Sequence, residues 1–177
     1  MNILWDFDGT LFDTYPAMAR RFSSYFLRGK PIDPLEAMAQ MKHSFRRAFE
    51  YYGLPVEESF KKLRDFELQI PPQDTPPFPF VQDVLKKAQL NVIVTHKSRL
   101  SVQTILAHYG MDAYFREMIT GDDGFKRKPD PESYQYMHQK YHIDLVIGDR
   151  EIDLIPARAL GIKTCAFRNP SLDADYH

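Results

Sequence analysis

Ile3-Leu4-Trp5-Asp6-Phe7-Asp8-Gly9-Thr10-Leu11-Phe12-Asp13 is the stretch on which the reading of this chain turns. A short apolar run of strand character ends in two carboxylates separated by one residue, and Asp8-Gly9 then marks a turn. Side chains alternate along a strand, so while the strand persists Asp6 and Asp8 point one way and Phe7 the other. Two acids that close repel each other in an apolar setting. A divalent cation, a phosphoryl group or a shared proton relieves the repulsion. A plain strand running into an Asp-Gly turn has the same appearance, so the motif needs company before it means chemistry.

Three later segments supply that company. Asn91-Val92-Ile93-Val94-Thr95 is a second apolar run, ending in a hydroxyl. Arg127-Lys128-Pro129-Asp130-Pro131-Glu132 sets a lysine just before a proline-marked helix start. Leu145-Val146-Ile147-Gly148-Asp149-Arg150-Glu151-Ile152-Asp153 is a third apolar run, ending in a carboxylate with another four residues on. Each alone is an ordinary strand end. Their order along one chain, acid pair, hydroxyl, lysine, acid pair, points to a shared site.

The set resembles the haloacid dehalogenase-like superfamily of phosphotransferases. The residues that carry the resemblance are Asp6-Phe7-Asp8-Gly9-Thr10, Thr95, Lys128-Pro129 and Gly148-Asp149 through Asp153. The region between the first two pieces looks like the small helical cap of the phosphoglycolate-phosphatase-like branch. The resemblance implies an α/β fold: a Rossmann-like parallel sheet core, its first strand central between the second and fourth, with a helical cap inserted after that strand.

The pattern of the residues agrees. Strands are expected at 3–6, 91–95, 144–148 and 162–166, with a weaker one near 116–120, and helices at 80–89, 98–109, 131–141 and 152–160. Such alternation reads as a parallel sheet, in which ligands bind at the carboxyl ends of the strands. Residues 15–70 read as helices only, at 16–28, 34–41, 43–52 and 56–69, broken at Gly29-Lys30-Pro31 and Gly53-Leu54-Pro55. The proline-dense return, Pro71 to Pro79, reads as a semi-rigid linker, with a peptide-recognition ligand as the rarer alternative. The expected division is a core of 1–14 and 80–177 and a helical cap of 15–79, a lid by its attachment.

Composition sets the limits. The chain has 177 residues, 44% of them hydrophobic, and a formal net charge of −1, so it lacks the basic surplus of a nucleic-acid binder. Its longest apolar runs are too short to span a membrane. It begins directly in a strand, without a basic or apolar leader, and one cysteine, Cys165, excludes an internal disulfide. These features suit a cytoplasmic protein, with Cys165 expected in a buried strand. Nothing in the sequence addresses oligomeric state.

Phosphoryl transfer asks for a nucleophile, a proton handler, a cation and donors to the phosphoryl oxygens. The resemblance assigns Asp6 as nucleophile and Asp8 as general acid and base. It implies Mg²⁺ held by Asp6, the Asp8 backbone carbonyl and Asp149, with Asp153 behind them. Thr95, Lys128 and the backbone amides at Gly9 and His96 form the expected phosphate cradle. Asp8 also argues against carbon–halogen and phosphonate cleavage, whose enzymes in this family lack an aspartate there. His96 stands where many relatives carry asparagine, and touches substrate or caps a helix. Asp13 or Thr14 is expected to cap the first insert helix. Lys42, His43, Arg46 and Arg47 form a basic cluster, with Lys42 and Arg46 on one helical face and His43 and Arg47 on another: a solvated face, or a contact to an acidic part of the substrate. His138 and His142 have metal-ligand spacing but no accompanying acid motif. The expected activity is a Mg²⁺-dependent phosphatase acting on a small phosphorylated metabolite. The alternatives are a sugar-phosphate mutase, weakened because Met18 falls where mutases of this branch carry a histidine, and a silent binding module that keeps the fold.

Overall fold

A computed structural model describes all 177 residues. The elements run β1 (Asn2–Trp5), α1 (Tyr15–Phe26), α2 (Pro34–His43), α3 (Phe45–Tyr51), α4 (Val56–Leu68), α5 (Val81–Lys87), β2 (Leu90–Val94), α6 (Arg99–His108), β3 (Phe115–Ile119), α7 (Glu132–Tyr141), β4 (Leu145–Gly148), α8 (Glu151–Ala159) and β5 (Lys163–Ala166). Every expected strand and helix forms, with ends within two residues of those read from the pattern. The five strands make one parallel sheet in the order β3-β2-β1-β4-β5, so β1 lies between β2 and β4. No helix is long and apolar enough to cross a membrane.

Both faces of the sheet are covered, as parallel sheets require. Alternation along β1 sends Ile3 and Trp5 into one apolar cluster, with Ile93, Leu106 and Ile147, and Leu4 into the other, with Val92, Tyr134 and Val146. One polar residue is built into this core. Asn91 is buried, its Oδ1 accepting the Trp5 indole N–H at 2.9 Å while its Nδ2 donates to the Leu85 carbonyl at 3.0 Å. The outer edge of β5 is covered by the chain's own end: Tyr176 exchanges backbone bonds with Thr164 and Ala166, and Asp175 accepts from Lys163 and Thr164. Such cover protects an otherwise unpaired strand edge. Cys165, expected to be buried, is only half-buried in β5, because this strand lies at the margin of the sheet.

The chain divides into two compact units, Met1–Phe12 with Pro77–His177, and Asp13–Pro76. The second contains α1 to α4 and has its own core, in which Phe22 packs against Phe26, Phe49 and Phe66. Met18 is fully buried in it. Thr14 occupies the N-cap of α1 but its side chain makes no capping bond, so the expected cap is not formed. Ser44 does cap: it stands in extended backbone between α2 and α3, and its Oγ accepts the Arg47 amide at 3.0 Å. That break falls inside the basic cluster. Lys42 and His43 end one helix and Arg46 and Arg47 begin the next, so the two expected helical faces do not exist.

Replacing Asn91 with leucine fills the space but strands the Trp5 N–H and the Leu85 carbonyl. A loss of about 1–3 kcal/mol is expected in urea unfolding, the usual penalty for buried polar groups left unpaired; an unchanged midpoint shows that the bridge is not needed.

Candidate active site

The strand that carries Asp6 stops one residue short of it. The Asp6 amide still reaches the Ile147 carbonyl of β4 at 2.9 Å, and the chain then winds round the Phe7 carbonyl, which accepts amides from Leu11 and Phe12 at 3.1 Å each. Gly9 makes the winding possible at φ +82°, where a side chain is strained. The strand alternation expected to align Asp6 and Asp8 therefore does not extend to Asp8, whose position is set by this turn. The Gly9 amide, expected in a phosphate cradle, is already spent on the Phe12 carbonyl at 2.8 Å.

Lys128 is the hub. Its ammonium, almost wholly buried, lies 2.6 Å from Asp6 Oδ1, 2.6 Å from Asp153 Oδ1 and 3.1 Å from the Val94 carbonyl. Burial works to lower the lysine's pKa, but Asp153 and Asp6 outweigh it and hold the cation firmly protonated. The same arrangement acts oppositely on Asp6: burial first, then the Asp153 charge, raises its carboxyl to about 6 against the pull of Lys128 and Arg150.

Asp153 is a builder of the site. Oδ1 takes the Lys128 ammonium, and Oδ2 takes the Arg150 amide at 3.1 Å, capping α8. The sequence reading set it behind the metal ligands; here its two oxygens hold Lys128 and the turn into α8. Gly148 lets it come this close, since a Cβ there stands 2.4 Å from the Asp153 Cβ. Asp149 follows at the end of β4, its carbonyl bound by Asn169 at 2.9 Å and its carboxylate 3.9 Å from the Arg150 guanidinium. Asp6, Asp149 and Asp153 each bring a carboxylate oxygen within 4.8 Å of the others. Grouped hard oxygens of this kind fit a divalent cation.

The turn after β2 serves three neighbours. Thr95 Oγ1 accepts the Lys97 amide at 3.1 Å, which leaves its hydrogen to donate. His96, expected to touch phosphate or cap a helix, uses Nε2 to accept the backbone amide of Lys128 at 2.8 Å. Burial, reinforced by Lys128, Arg127 and Arg150, lowers this imidazole to about 2. Lys97 is the residue that the sequence reading passed over. Its side chain is 3% exposed, and its ammonium lies 3.1 Å from Asp8 Oδ1. Four carboxylates, Asp6, Asp8, Asp149 and Asp153, thus meet the cations of Lys97, Lys128 and Arg150.

The basic cluster of the helical unit has partners inside that unit. Lys42 lies over the Tyr15 ring, Arg46 pairs with Glu57 and lies over Phe60, and Arg47 donates to Gln40. His43 is exposed. The His138–His142 spacing is not continued on one helix, because His142 has left α7 with φ +50°.

Comparison with known proteins places this geometry. The family model described as haloacid dehalogenase-like hydrolase matches residues 3–167. Phosphoglycolate phosphatase 1 of Pseudomonas aeruginosa is 26% identical over 93% of this chain and 68% of its own length. Pyrophosphatase PpaX of Oceanobacillus iheyensis is 27% identical over 99% of this chain and 86% of its own. Among solved structures, a hydrolase from Streptococcus pneumoniae TIGR4 superposes with a TM-score of 0.69 at 32% identity, covering 96% of this chain and 93% of that one.

The neutral His96 gives a pH signature. Its pKa falls from the ordinary 6.5 to about 2 on folding, so below pH 6.5 the unfolded chain binds a proton that the folded one refuses, and stability declines as pH falls. The slope from this group is at most about 1.4 kcal/mol per pH unit. His96→Asn keeps an acceptor for the Lys128 amide without the titration. Its unfolding free energy is expected to fall less steeply than wild type between about pH 6.5 and pH 4.5; parallel slopes rule out an imidazole held neutral.

Proposed function

The chain belongs to the haloacid dehalogenase-like hydrolases, and on that premise we propose that it is a magnesium-dependent phosphatase of a small phosphorylated metabolite, working through an aspartyl-phosphate on Asp6. The observation that carries the proposal is the buried Asp6 carboxylate at the end of the central strand, held by Lys128 at 2.6 Å and grouped with Asp149. A nucleophilic carboxylate needs a fixed direction of attack and a neighbouring cation to gather the phosphoryl oxygens; this one has both.

In the proposed reaction a carboxylate oxygen of Asp6 attacks phosphorus, and the bond from phosphorus to the leaving oxygen breaks. Asp8 donates a proton to that oxygen, and later takes one from the water that cleaves the aspartyl-phosphate, restoring Asp6 and releasing inorganic phosphate. The Thr95 hydroxyl and the Lys128 ammonium hold the transferred group. Asp6, Asp149 and the Asp8 carbonyl are the proposed magnesium ligands. Bound there, Mg²⁺ would supply Lewis-acid neutralisation of the phosphoryl charge. The names of the two curated relatives, a phosphoglycolate phosphatase and a pyrophosphatase, support a small phosphorylated substrate.

Asp6→Asn is expected to abolish both phosphate release and the acid-stable phosphoenzyme, because an amide is a far weaker nucleophile. Turnover above about a tenth of wild type removes Asp6 from the nucleophile's place.

Dialysis against a chelator is expected to stop activity, magnesium to restore it and calcium to fail. Ca²⁺ accepts more ligands at longer distances and loosens the octahedral arrangement that Mg²⁺ imposes. Full activity in chelator, or with calcium alone, defeats the metal assignment.

A further inference from the structure

The peptide unit that joins Asp149 to Arg150 is gripped at both ends. Asp149 lies in neither β4 nor α8, so a regular element does not dictate its direction. Its carbonyl accepts the Asn169 side-chain N–H at 2.9 Å. The amide on the other side of the same peptide bond, that of Arg150, donates to Asp153 Oδ2 at 3.1 Å. A peptide unit is planar, so bonds on opposite edges hold it against rotation. Holding it restricts the torsion on the carbonyl side of the Asp149 Cα, and with it the direction in which the buried carboxylate leaves the chain. Asp153 belongs to the site already described. Asn169 reaches in from outside it.

The turn after β5 is built to deliver that side chain. The Phe167 amide donates to the Gly148 carbonyl at 2.8 Å, continuing the pairing of β4 with β5. Arg168 then takes φ +52°, a conformation uncommon for a residue with a side chain, and outliers of this kind gather where geometry serves function. Asn169 is fixed in its turn: its Oδ1 accepts the Ser171 hydroxyl at 2.7 Å and its carbonyl the Leu172 amide at 3.3 Å. With Oδ1 so engaged, the side chain presents its N–H edge to Asp149. The segment is already secured without that bond, by Phe167 on one side and by the pairing of Tyr176 with Thr164 and Ala166 on the other. The bond to Asp149 therefore serves Asp149. We propose that Asn169 is a positioning residue of the metal site, holding the Asp149 carboxylate in the direction from which it meets a divalent cation. It acts through the peptide unit and not by touching the cation. Hydrogen-bond partners of metal ligands commonly govern affinity in this way. This role rests on the metal reading above and adds to it a residue from a turn outside the ligand set.

The experiment titrates Mg²⁺ into wild type and Asn169→Ala and measures the heat of binding. Asn169→Ala is expected to raise the Kd for Mg²⁺ about 10–100-fold, the usual cost of removing a hydrogen-bond partner of a metal ligand. With p-nitrophenyl phosphate as substrate, the magnesium concentration for half-maximal rate is expected to rise with the Kd. KM for that substrate at saturating magnesium is expected to stay within about twofold of wild type, since the bond acts on the metal ligand and not on the substrate. A variant that melts at a lower temperature in chelator but keeps the wild-type Kd shows that the bond only steadies the fold, and overturns the proposal. Coupling between two places is reciprocal, so in wild type the NMR signals of the Asn169 side-chain amide are expected to shift as magnesium binds. Signals that stay fixed while calorimetry shows magnesium bound overturn the proposal too, with no variant required to fold. Wild type that takes up no magnesium defeats the metal reading itself, and this role with it.

Discussion

One ammonium group holds this site together. Lys128 has three N–H donors and three acceptors, and they come from three separate places: Asp6 beyond β1, Val94 at the end of β2 and Asp153 in the first turn of α8. Deep burial leaves it no water to fall back on, so each partner is required. Removing either carboxylate leaves a buried charge short of compensation, and removing the lysine leaves two carboxylates facing one another. Even intact, the group is not balanced. Burial first, and then the Asp153 charge, keep Asp6 above its ordinary pKa, and two acids on one cation leave a surplus of negative charge that favours the arrival of another cation.

The sheet makes this convergence possible. With β1 between β2 and β4, the residues just past three strand ends arrive at one edge although they lie far apart in sequence. Close approach then depends on small residues and caps. Asp153 stands against Gly148 and caps α8 through the Arg150 amide, so one carboxylate ends a strand-to-helix turn and anchors Lys128 at once. The cap contributes to α8 and the ion pair to the site, and neither is available without the other.

The strands and helices were legible because their apolar periods are strong and their ends are marked by proline, glycine and acids. The convergence of Asp6, Lys128 and Asp149 was legible because each follows a strand end or precedes a helix. The features that escaped are those in which direction, not composition, decides. The strand ends at Trp5, so Asp8 is placed by a turn whose hydrogen bonds no alternation rule describes. The break at Ser44 divides the basic cluster because extended backbone at one residue interrupts a run of good helix formers. Lys97 looks like any surface lysine near a helix start; only the turn that fixes it shows that it points inward. The covered edge of β5 depends on pairing with a tail that carries no strand signal.

Thr95, His96 and Lys97 show why so short a segment matters. In one turn they reach in three directions: the Thr95 hydroxyl takes the turn's own Lys97 amide, the His96 ring takes the backbone of Lys128, and the Lys97 ammonium takes Asp8. The two lysines are thereby coupled without touching. The imidazole fixes the backbone from which one ammonium reaches Asp6, and the residue beside it presents the other to Asp8. A neutral ring suits this post, because a protonated one loses the acceptor that holds the Lys128 amide and adds a fourth positive charge near Lys128 and Arg150. The burial that keeps His96 uncharged therefore serves the geometry of both acids, and a substitution at this turn is felt on each side of the site together.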